Sequence, residues 1–171
     1  MSEKVEVKLW LIGVLMLVAL IAVLQTLTGD GPYGIVDHQA AARADRVNEI
    51  QGAWKQAGHF GLHTAGMVGD LIFIVVYSLG TWRAGRGLRA QSGGFARLVG
   101  AVVGLSAVVF FATDICETSL QLTQMVMDQG VEWMAATAAF MQPIKVIAWI
   151  VSFVSVLLGL AAARFSRGKA A

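Results

Sequence analysis

The sequence is poor in cysteine, proline and charge: one Cys, two Pro and 14% charged residues in 171 positions. A lone Cys116 cannot close an internal disulfide, which excludes a disulfide-stapled secreted scaffold. Soluble domains carry about a quarter of their residues as charge, and this chain falls well short. A net charge of +2 is too mild to mark a nucleic-acid binder. No Ser-His-Asp, phosphate-loop or H-E-x-x-H pattern is present. The chain has 57% hydrophobic residues instead, gathered into long runs.

Four runs are long enough to cross a hydrocarbon core, which takes about 20 apolar residues. They cover residues 9–28, 61–82, 98–121 and 143–163, the last with a helical extension back to Trp133. Backbone amides in lipid must be satisfied within the span, so all four read as helices. The expected fold is all-α: a polytopic membrane protein, a single four-helix bundle over residues 1–171. Residues 9–28 are too long an apolar stretch for a cleaved signal peptide and lack a small-x-small site.

Basic residues give the orientation. Arg83, Arg86, Arg89 and Arg97 follow the second run with no acid among them. Arg164, Arg167 and Lys169 follow the fourth, and Lys4 and Lys8 precede the first. The other two connections hold as many acids as bases or more. The positive-inside rule then puts both termini and the arginine-rich connection in the cytoplasm. Gly61-x3-Ala65-x3-Gly69 and Gly100-x3-Gly104 are spaced for close helix packing.

The only long outer connection begins with the turn Gly29-Asp30-Gly31-Pro32. From Val36 to Ala57 apolar residues recur every three or four positions, through Ala40, Ala44, Val47, Ile50 and Trp54. This pattern predicts an external amphipathic helix over 36–57. It is either a lid across the bundle mouth or a surface anchor.

Asp70, Asp114, Glu117 and Lys145 fall inside the runs. A charge at the bilayer centre costs roughly 2.5–3.5 kcal/mol on insertion scales, so such residues turn inward and pair. At a rise of about 1.5 Å per residue, Asp70 lies about 20 Å outward of Arg83. The same rise puts Asp114, Glu117 and Lys145 about 25–30 Å outward of Arg97 or Arg164. All four belong to one layer in the outer half. Helical faces agree: His59, His63, Gly66, Asp70 and Tyr77 form one stripe. Asp114, Glu117, Thr118 and Gln121 form a second, and Gln142, Lys145, Trp149 and Ser152 a third. Three stripes facing one another predict a wet vestibule closed beneath by apolar residues. Three acids against one base leave it negative if fully ionised, so one carboxyl is expected to hold a proton.

The candidate site is therefore Asp70, Asp114, Glu117 and Lys145, bordered by His63 and Tyr77. A register-fixing ion pair, such as Lys145 with Asp114 or Glu117, is the plain alternative. His59-x3-His63 is the only metal-like spacing and is weak by itself, so no metal is assigned. No cofactor is indicated, since haem would need an opposing histidine and only His38 on the lid offers one. Cys116 sits beside two carboxylates, a poor setting for a nucleophile. Met125, Met127, Met134 and Met141 suit Cu(I) but more commonly serve as filler.

The segment Ala44-Asp45-Arg46-Val47-Asn48-Glu49-Ile50 ending at Trp54, Asp70 followed by Tyr77, Asp114-x-x-Glu117, and Lys145 together resemble a group of small four-span bacterial membrane proteins. The likeness covers most of the chain. Thr118 stands where that group usually has Asn. The resemblance implies the four-helix layout and the same site residues, and it supplies no reaction.

Three functions fit. One is binding, and conceivably transport, of a small or lipophilic ligand. The second is a structural or accessory subunit of a membrane complex, or a homo-oligomer. The third is a membrane-embedded acid/base enzyme, of isomerase, hydratase or cyclase type, on a lipid or isoprenoid. The inner half is nearly uncharged, which favours binding over translocation.

Overall fold

The computed structural model describes residues 5–29, 31–91 and 93–168. Lys4 and Lys169 of the charge pattern, and Asp30 of the first turn, lie outside the described residues. The described chain is helical throughout, with no strand: α1 (Lys8–Thr28), α2 (Ile35–Gln39), α3 (Ala44–Gln56), α4 (Phe60–Arg89), α5 (Gly94–Val126) and α6 (Glu132–Gly168). Among them α1, α4, α5 and α6 are long and apolar enough to cross a membrane. Each of the last three extends beyond the apolar run that announced it. α6 passes through Pro143 without interruption.

α5 is central, packed against α4 on one side and α6 on the other, while α1 lies along α4. The α1–α4 crossing is close because glycines face it. A Cβ on Gly13 would come within 2.8 Å of Tyr77 Cα, and one on Gly80 would collide with the Trp10 backbone. Gly85 and Gly100 meet likewise between α4 and α5. Of the Gly61/Ala65/Gly69 stripe only Gly69 is tightly packed, a Cβ there coming within 3.0 Å of Leu20; nothing lies within 4 Å of a Cβ on Gly61, and Ala65 is exposed.

The long connection between α1 and α4 differs from the expected single helix. It is broken after Gln39, and Arg43 is extended at φ −133°, ψ 145°. The local pattern would have carried a helix through the four intervening residues, Ala40 to Arg43. A distant side chain ends that option: Glu132 Oε2, at the start of α6, accepts the Ala44 N–H at 2.8 Å and caps α3 there. The break lets α2 turn back, so that His38 lies 5.1 Å from the Trp54 ring. Of the expected apolar face, Val47, Ile50 and Trp54 are buried, whereas Val36 is 63% exposed.

α3 folds onto the ends of the long helices away from Arg83–Arg97 through two similar turns. After α3, Gly58 takes φ +74°, its N–H bonds the Lys55 carbonyl, and His59 N–H bonds the Trp54 carbonyl. After α5, Asp128 takes φ +55°, with matching bonds from Asp128 to Met125 and from Gln129 to Gln124. Both are Schellman caps, which reverse the chain at a left-handed residue. Lys55 pairs with Asp128, linking the two turns, and Asn48 Oδ1 accepts the Gly130 N–H at 2.6 Å.

The apolar residues form two clusters. One, at the end of the bundle near Arg83–Arg97, holds Trp10, Phe73, Tyr77, Leu88, Val103, Phe110 and Val156. The other lies under α2 and α3 and holds Val47, Ile50, Trp54, Met67 and Met125. Along α4, Asp70 falls between Met67 and Phe73. Along α5, residues 114–121 fall between Phe110 and Met125. A polar layer is thus sandwiched between two apolar ones.

Candidate functional site

Three helices each present one helical face to this layer. α5 supplies Asp114, Glu117, Thr118 and Gln121, all at most 2% exposed. Their spacing of three and four residues stacks them on one side of the helix. α4 supplies Asp70 and α6 supplies Lys145, which is 8% exposed.

Lys145 Nζ lies 2.9 Å from Asp114 Oδ1 and 2.9 Å from Glu117 Oε1. The ammonium bridges two carboxyls one helical turn apart, so the register-fixing alternatives expected singly occur together. On one flank, Gln121 Nε2 donates to Glu117 Oε1 at 3.4 Å. On the other, Thr118 Oγ1 donates to Asp70 Oδ2 at 3.1 Å and lies 3.5 Å from Asp114 Oδ1. Asp70, Thr118, Asp114, Lys145, Glu117 and Gln121 therefore form one continuous polar chain across three helices. Glu117 Oε2 is buried without a partner among the described residues.

The other two expected residues lie in different layers. Tyr77 is in the apolar cluster beneath: Ser152 Oγ donates to the Trp149 carbonyl at 2.8 Å, so the Tyr77 hydroxyl donates to Ser152 at 2.9 Å. His63 stacks on Trp54 with ring centroids 3.9 Å apart. His63 thus belongs to the seat of α3. Among the described residues no group of three His, Cys, Asp or Glu side chains is placed to hold a metal ion. His59 and His63 have no third ligand beside them.

A cavity of about 380 Å³ adjoins the polar chain. Asp70, Asp114 and Lys145 form its polar wall. Apart from Gln39 of α2 the remainder is apolar, with Leu17, Leu20 and Leu24 from α1, Phe110 from α5 and Trp149 from α6. Ile35 and Val36 of α2 also line it. The expected wet vestibule is thus a largely apolar chamber bordered by α2. Two contributors were invisible to sequence reasoning. α1 is uniformly apolar, so no face of it is marked. α2 turns inward only because the connection breaks at residues 40–43.

The seat of α2 and α3 has its own polar contacts. Gln51 Nε2 lies 3.2 Å from His38 Nε2, both residues being buried. Burial, with a smaller contribution from the charge of His63, pushes the His38 pKa down to about 4. Trp54 Nε1 donates to the Tyr33 carbonyl at 2.8 Å. The Tyr33 hydroxyl donates to Glu49 at 2.6 Å and Arg46 pairs with Glu49 at 2.7 Å. These bonds hold the Glu49 carboxyl below its ordinary value.

No family model matches the chain, and no curated protein or solved structure matches it.

Proposed function

We propose that this is a multi-pass protein of the bacterial inner membrane that binds a lipophilic ligand in the chamber beside Asp70, Asp114 and Lys145. One observation carries the reading: a ligand-sized, mostly apolar cavity has convergent charged groups on a single wall. Pockets of about 300–1,000 Å³ that are apolar with a few placed polar groups are the usual form of small-molecule sites. Ion pairing for stability alone accounts for Lys145, Asp114 and Glu117. It does not account for Asp70, which lines the chamber outside that pair.

In this reading both termini and the Arg83–Arg97 turn face the cytoplasm, and α2 and α3 cap the outer face as an amphipathic lid. The contacts of Lys55 with Asp128, Asn48 with Gly130 and Glu132 with Ala44 support a seated cap over a free surface anchor. The test is native mass spectrometry of full-length protein released gently from its own membrane. A retained small lipophile is expected, and Val146→Trp, which fills the chamber wall, should abolish its retention. Stoichiometric partner chains with no small molecule would replace this reading by that of a structural subunit.

A further inference from the structure

Three carboxyls share one ammonium in the polar layer, and the sharing is unequal. Lys145 is divided between Asp114 and Glu117 at 2.9 Å each. Among the described residues no cation lies within 4 Å of Asp70, whose one hydrogen bond comes from Thr118. Asp70 nevertheless faces the chamber. Asp70 is thus the carboxyl left to hold the layer's proton, and an amine that takes up that proton pairs with the carboxylate it leaves behind.

An inorganic cation suits this place badly, because hard cations want six or more oxygens around them. Asp70 is instead followed by hydrocarbon: Leu17, Leu20 and Leu24 on α1, with Val146 on α6. Phe73, Phe110 and Trp149 also border the chamber, and aromatic faces attract organic cations. A positive group attached to an alkyl chain satisfies both ends of the chamber.

We propose that the chamber takes a single-chain amphiphile bearing one protonated amine, its ammonium on Asp70 and its chain along α1. The assignment rests on the binding reading above and narrows it to a ligand class. Neutral and anionic amphiphiles of the same length lack the charge that Asp70 calls for.

The test offers hexadecylamine, hexadecanol and palmitate at equal concentration to the purified full-length protein, with bound ligand counted by native mass spectrometry. Wild type should retain the amine at least about tenfold over the alcohol, a factor within reach of one charge pair. Asp70→Asn should keep the alcohol affinity and lose the preference for the amine. Val146→Trp should weaken all three alike. Equal retention of amine and alcohol, preferential retention of palmitate, or an Asp70→Asn protein that still prefers the amine would overturn the proposal and leave the binding reading standing. Failure of all three to bind would remove the binding reading as well. The wild-type series decides on its own if Asp70→Asn does not fold.

Discussion

Lys145 is the residue on which the polar layer turns, because it alone brings positive charge to it. Removing one partner of a buried ion pair leaves the others uncompensated and typically costs about 3–5 kcal/mol. Lys145→Ala should therefore lower the unfolding midpoint in detergent sharply. Adding Asp114→Asn and Glu117→Gln to that variant should recover much of the loss, since no unpaired charge then remains. His38 gives a second residue-scale expectation, a loss of stability on acidification that needs no ion pair. Its pKa falls from an ordinary 6.5 to about 4 on folding, so the unfolded chain takes up the proton first. The stabilisation is complete above pH 6.5 and is lost as pH falls towards 4. The shift corresponds to on the order of 3 kcal/mol. Acidification over that window should loosen α2 and change Trp54 fluorescence. His38→Phe should reduce the response, leaving the part that comes from His63 stacked on Trp54.

Among the elements, the pair α2–α3 shows where sequence patterns stop. The four long helices were legible because hydrophobic length is a local property and the layer's charges are conspicuous in apolar runs. Val47, Ile50 and Trp54 were legible for the same reason, as a stripe at helical spacing. The break at residues 40–43 was not, because its cause is the Glu132 carboxylate, far along the chain. Nor could periodicity reveal the chamber, part of whose wall is an α1 face no more apolar than its neighbours on that helix. His63 was expected from its stripe to border the charged layer. The turn at Gly58 carries it to Trp54 instead. That turn needs a left-handed residue, which costs a side-chain-bearing residue roughly 1–2 kcal/mol. Gly58→Ala should lower stability by that amount and reduce the burial of Trp54, measured by quenching with an aqueous quencher. Asp128 occupies the equivalent place after α5 with φ +55°. Aspartate tolerates that conformation better than most residues, and here its carboxylate also holds Lys55.

At the scale of the whole molecule, the proposed topology can be read directly. In a Cys116→Ala background, Arg86→Cys should resist a membrane-impermeant external reagent, and Lys55→Cys should react with it. The reverse pattern would invert the protein in its membrane. The bridge made by Lys145 also sets an order in time. A ribosome delivers Asp114 and Glu117 some 30 residues before their counter-ion, so α5 emerges carrying two acids that nothing yet neutralises. A segment of that kind enters lipid poorly alone. In the proposed topology, α5 and α6 would then leave the insertion machinery as a joined hairpin, with α5 waiting beside it until the lysine is made. A chain halted after Gly130 should be degraded in the cell within its first minutes. The full chain should escape that fate at the moment α6 arrives, as pulse-chase labelling would record.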